Sequence, residues 1–143
     1  MDIADKYTQR WKIERFHYVL KSGLKAQEIQ QRAFNKIKVL LFIYSVIASY
    51  ILALTYLGRI CPSLPCDCFL EENEWKMLYR LINKTKTAPE KPYSLGEAIA
   101  YLGELGSYKR APSDGPPGVN SIWKGLFKLY FAIDCIERVM LNE

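Results

Sequence analysis

The sequence predicts an all-α protein. Apolar residues recur at spacings of three and four in each long segment, helix start and stop signals fall between those segments, and no stretch reads convincingly as a strand. At 143 residues, 50% hydrophobic and 24% charged, the chain suits one globular domain, or one domain with a tail.

The first helix is expected over about Asp2–Leu20, where Ile13, Phe16, Leu20 and Leu24 gather on one side. Gly23 interrupts or ends it. A second helical stretch is expected from about Ala26 through Leu57, and its middle, Val39–Gly58, holds no charged residue. Hydropathy alone lets that run span a membrane. Its polar groups (Tyr44, Ser45, Ser49, Tyr50, Thr55, Tyr56) are scattered instead of collected at two rims, which suits the central helix of a soluble all-α domain. Pro62 and Pro65 mark a loop. Leu70–Ile82 is the third helix, with Trp75, Leu78, Tyr79 and Ile82 as its stripe and Glu71, Glu72 and Glu74 where the helix dipole favours acids. Lys84–Pro92 is a polar linker. Ser94 and Glu97 form a capping box for a helix over Leu95–Leu105, closed by Gly106. Asp114–Gly118 is a turn, and the last helix starts at Asn120 or Ser121 and carries Trp123, Leu126, Phe127, Tyr130, Phe131, Ile133, Ile136 and Met140.

The chain carries 20 Lys and Arg against 15 Asp and Glu, a net charge of +5. Residues 1–38 hold nine of the bases and four of the acids, so the excess lies there. A polyanionic partner is expected at that end, with a solvated helix face as the plain alternative. Cys61, Cys66 and Cys68 follow a C-x4-C-x-C spacing that lacks the second half of a structural zinc site, and the one histidine, His17, lies far upstream. Reduced, packed thiols are expected, Cys135 included. With no visible signal peptide, a reducing cytoplasm is the expected location. Phosphate-binding Gly-rich loops, G-x-S-x-G and H-E-x-x-H are absent from the sequence, which removes the commonest nucleotide, hydrolase and metalloprotease readings.

Rotating about 100° per residue along the first helix sets Tyr7, Arg10, Glu14 and Lys21 within one arc of roughly 60°. Ile13, Phe16 and Leu20 face elsewhere. A carboxylate flanked by two bases and a phenol suits a divalent ion beside a phosphodiester: Glu14 would ligate the ion, while Arg10, Lys21 and Tyr7 would hold phosphate oxygens. An i,i+4 salt-bridged surface, Arg10 to Glu14, uses the same residues without function. Trp11, Trp75 and Trp123 read as core anchors, though Trp11 beside the arc could stack on a base. His17 at its edge reads as a surface histidine or a phosphate contact.

Tyr7-x2-Arg10-x3-Glu14-x6-Lys21 resembles the Y-(2)-R-(3)-E-(6)-K signature of the insertion-sequence-four family of bacterial DDE transposases, and residues 7–23 look like the same region of its transposon-five group. Residues 93–106 and 118–126 resemble the C-terminal dimerisation domain of that group, and Pro65-Cys66 and Glu74-Trp75 look like family positions. The resemblance implies the helical end of a ribonuclease-H-like core over 1–32, a long apolar helix over 33–58 and a dimerisation domain over 59–143. It implies cut-and-paste transposition inside a dimeric complex with DNA, with Glu14 as third acid of an Asp-Asp-Glu triad and ligand to Mg²⁺ or Mn²⁺. Tyr7, Arg10 and Lys21 would be the contacts to the transposon end. Asp2 and Asp5 stand too close to Glu14 to be the other two acids, and Asp67, Asp114 and Asp134 lie on the wrong side. The expectation is therefore a C-terminal transposase fragment, inactive alone and binding no metal by itself. It would pair with itself or with full-length transposase through the last helix. No membrane partner is expected. Ile13, Phe16 and Leu20, with part of 39–57, would form an exposed patch prone to self-association.

Overall fold

The computed structural model describes residues 3–28, 33–109 and 115–141. They form helices α1 (Ile3–Tyr18), α2 (Phe34–Ile60), α3 (Glu72–Asn83), α4 (Leu95–Leu105) and α5 (Val119–Met140). Among the described residues there is no strand; one isolated antiparallel bridge joins Pro65 to Ser94. The all-α expectation holds. The chain divides into two compact units, Met1–Ala53 and Leu54–Glu143.

In the first unit the α-helical hydrogen bonding ends at Tyr18. Val19–Gly23 forms a π turn, in which the Leu24 amide donates to the Val19 carbonyl at 3.0 Å. Lys25 then takes a left-handed conformation, φ 52°, which breaks the run. The second helix expected from Ala26 is therefore later: Ala26–Glu28 is a single 3-10 turn and α2 begins at Phe34. Ile13 is 58% exposed and Phe42, on α2, 70%.

The second unit opens with the last turns of α2. Gly58 lets that helix lie against α4, since a Cβ on it would sit 2.5 Å from Ile99 Cγ1. The Arg59 guanidinium donates to the Pro117 carbonyl at 3.2 Å. The loop after α2 is stitched to the start of α4: Leu95 N–H donates to Leu64 O at 2.6 Å, Gly96 N–H to Pro62 O at 2.9 Å, and Cys66 N–H to Tyr93 O at 2.9 Å. These bonds satisfy backbone groups of a segment whose regular structure is a single 3-10 turn at Cys66–Cys68.

Helix α3 starts where three acids predict it, with the Glu71 amide donating to the Glu74 carboxylate at 2.8 Å. Trp75 and Leu78 turn inward, one helical step apart. Tyr93, the residue after the expected linker, reaches across to donate its hydroxyl to the Trp75 carbonyl at 3.0 Å. Trp75, Tyr79, Tyr93 and Tyr101 form one aromatic cluster. Helix α4 begins with the expected capping box: Glu97 N–H donates to Ser94 Oγ, and Ser94 N–H to the Glu97 carboxylate, both at 3.3 Å.

The unit's core lies between α4 and α5. Leu95, Ala98, Ile99 and Leu102 on α4 and Ile122, Leu126 and Leu129 on α5 are all buried. Two glycines let the backbones touch. A Cβ on Gly125 would fall 2.0 Å from the Leu102 carbonyl oxygen, and one on Gly106 would fall 1.8 Å from the Ser121 carbonyl oxygen. Gly106 does follow the end of α4, but with φ −77° it needs no glycine freedom; the left-handed residue is Ser107, φ 71°. The end of α4 is instead held by Lys128, whose ammonium donates to the Leu105 carbonyl at 2.8 Å. Helix α5 starts at Val119, one residue earlier than expected. Of the expected turn 114–118, Asp114 lies outside the described residues.

Candidate functional site

Two surfaces have the makings of a site. The first is the polar edge of α1. Arg10 Nε donates to Glu14 Oε1 at 3.1 Å, and both side chains stay largely exposed, at 69% and 59%. The i,i+4 pair that plain helix chemistry expects is therefore formed, on a carboxylate that solvent still reaches. Lys21 is exposed but sits in the π turn, where the 100° rotation used to place it in the arc no longer applies. The backbone of Tyr7 belongs to α1, whereas its side chain lies outside the described residues.

Trp11 is 45% exposed, with the Arg15 guanidinium 5.0 Å from its ring centroid, so it is not the core anchor expected of it. Trp75 is buried as expected, and Trp123 half-buried. His17 is exposed, edge-on to Phe16.

Among the described residues no three His, Cys, Asp or Glu side chains gather to hold a metal ion. One carboxylate already bonded to an arginine is too small a donor set for Mg²⁺ or Mn²⁺, which are held by oxygen ligands in octahedral geometry. The residues described here do not by themselves make that site. The four cysteines are free thiols. Only Cys66 is packed in the core, and burial, with Asp67 beside it, pushes its thiol up to about 11; Cys68 and Cys135 are exposed, against the expectation of packed thiols.

The second surface is the outer face of α5. Val119, Ile122, Gly125, Leu126 and Leu129 turn inward. On the opposite side Phe127 and Phe131 are 62% and 64% exposed, and Tyr130 joins them. Spacings of three and four put these rings on one continuous stripe. Beyond them Arg138 Nε donates to Asp134 Oδ2 at 2.8 Å. Exposed aromatic rings on a helix whose other face is already buried are the kind of group that protein interfaces enrich. The sequence reading counted these rings among the residues of the last helix without dividing its two faces; a helical wheel over 119–131 separates them.

The family model described as Transposase Tn5 dimerisation domain matches residues 46–139, which takes in the second half of α2, all of α3 and α4, and α5 up to its last residue. No curated protein matches the chain.

Proposed function

Because the chain belongs to the Transposase Tn5 dimerisation domain family, we propose that it works as the dimerisation module of a cut-and-paste DNA transposase, pairing through the outer face of α5. One observation carries the choice of surface: within a unit whose core is closed by α4 against α5, Phe127, Tyr130 and Phe131 remain open to solvent. Phenylalanines and tyrosines of this kind anchor protein interfaces.

In this reading the segment before the module belongs to the catalytic part of the transposase. Glu14 is its third acid, acting on metal together with carboxylates other than those described here. Arg10, Lys21 and Tyr7 contact transposon-end phosphates. The N-terminal excess of charge, nine bases against four acids over residues 1–38, favours that polyanionic partner. A second role follows from the same surface: a chain able to pair through α5 also pairs with a full-length transposase and lowers its activity.

The membrane alternative for Val39–Gly58 is weaker. Helix α2 is long and apolar enough to cross a bilayer. Its turns from Leu54 onward, however, belong to the second unit, with Gly58 against Ile99. The uncharged residues left over, roughly 15, reach about 22 Å, short of a hydrocarbon core of about 30 Å.

Co-expression of two differently tagged copies tests the proposal. Each copy is expected to retain the other during purification, and to lose it when Phe127 and Phe131 are both changed to Ser. Recovery of single-tagged protein only, from the unaltered pair, would contradict it.

A further inference from the structure

The outer face of α5 carries a charge and aromatic pattern that reads the same from both ends. Leu129 is fully buried, so the point of the helix opposite its side chain lies at the middle of the exposed face. Phe127 and Phe131 stand at equal distances on either side of that point. So do Lys124 and Asp134, both exposed. Lys124 makes no ion pair with a described residue. Asp134 shares only part of its carboxylate with Arg138, through one oxygen at 2.8 Å.

We propose that two copies pack their α5 helices antiparallel about a two-fold axis at Leu129, setting Phe127 against the partner's Phe131 and Lys124 against the partner's Asp134. The inference rests on the dimerisation reading above and adds the direction and register of the pair. A two-fold axis perpendicular to both helices carries each residue to the mirror position along the partner, so residues equidistant from the axis stand level; Lys124 and Asp134 lie about 40° to opposite sides of the midline, and their side chains pair by reaching across it. Centred on Leu129, the axis stacks phenyl rings and unites opposite charges at two symmetric places. Moved to Phe131, it sets Lys124 against the partner's Arg138; moved to Asp134, it sets that carboxylate against itself. Like charges in those positions oppose the shifted registers. Parallel packing about an axis along the helices brings each charge to its own copy.

The test is heterospecific pairing. The variants Lys124→Glu and Asp134→Lys each place two like-charge contacts in their own homodimer. Mixed together they restore both contacts as opposite charges, while any effect on the folded monomer stays the same. Sedimentation equilibrium of each variant alone is expected to show dimerisation weakened roughly tenfold. The mixture is expected to recover an affinity near that of the unaltered chain, and to yield heterodimer by energy transfer between differently labelled partners. Unaltered self-association of both variants, with statistical mixing, would overturn the register and leave the dimer intact. A chain that stays monomeric at every concentration would overturn the underlying reading, and the register with it.

Discussion

Gly125 on α5 lies so close to Leu102 on α4 that a methyl group added to it would sit 2.0 Å from the Leu102 carbonyl oxygen. Backbone meets backbone there, so no side-chain rotation relieves the clash. Gly125→Ala is expected to destabilise the unit by at least about 2 kcal/mol through forced separation of the two helices. Gly115, with open space where its Cβ would stand, is the matching control and is expected to tolerate Ala with little change. Urea unfolding followed by circular dichroism compares the two; equal stability would show that the helices are not in backbone contact.

Ser94→Ala removes the acceptor for the Glu97 amide at the start of α4. The expected loss is about 1 kcal/mol. Thermal unfolding checks it, and a loss below the error of the measurement would mean the loop bonds to Leu95 and Gly96 hold the helix start without the cap.

The buried Cys66 thiol gives the fold an alkaline limit. Its pKa is pushed up to about 11 from an ordinary 9.0, mainly by desolvation. Between those values the unfolded chain releases the proton while the folded chain retains it. The folded state then binds more protons, so stability falls as pH rises from 9 towards 11. Tyr93, also raised by burial, extends the decline to higher pH. Unfolding free energies at pH 8 and pH 10.5 are expected to differ less in Cys66→Ala than in the unaltered chain. Native alkylation is expected to modify Cys68 and Cys135 and to spare Cys66, a pattern read by mass spectrometry.

Two kinds of feature were legible in the sequence. Local chemistry was one: the Ser94–Glu97 box and the acids at the start of α3 lie within one turn of the backbone they serve. Side-chain periodicity was the other, and it revealed all five helices, although it began the second one at Ala26 instead of Phe34. The misreadings arose where distant packing decides. Gly106 marks the end of α4 yet is small because Ser121 passes beside it, which only the fold reveals. The arc of α1 assumed one helical repeat through Lys21, and the π turn at Val19–Gly23 changes that repeat. Trp11 looks like a core residue by type, but it stays 45% exposed, with the Arg15 guanidinium against its ring. The outer face of α5 is within reach of a helical wheel, since Phe127 and Phe131 fall opposite the buried Leu129.

For the N-terminal segment, fluorescence anisotropy with a short DNA duplex is expected to show weak binding that falls steeply with salt. Each phosphate contact contributes about 0.9 to the log–log slope. Arg10→Ala with Lys21→Ala is expected to lower the slope by about two contacts' worth without altering helicity. Glu14→Gln breaks only an exposed pair and is expected to change stability by less than about 0.5 kcal/mol. An unchanged salt slope in the double variant would remove these two residues from the DNA-contact reading.

The outer face of α5 is tested most directly by sedimentation velocity over a range of concentrations, comparing the unaltered chain with Phe127→Ser/Phe131→Ser. Both rings are solvent-exposed, so the double variant is expected to keep its helical spectrum and unfolding midpoint. The account predicts a concentration-dependent dimer for the unaltered chain and a monomer for the variant. A variant that dimerises as strongly as the unaltered chain would contradict it.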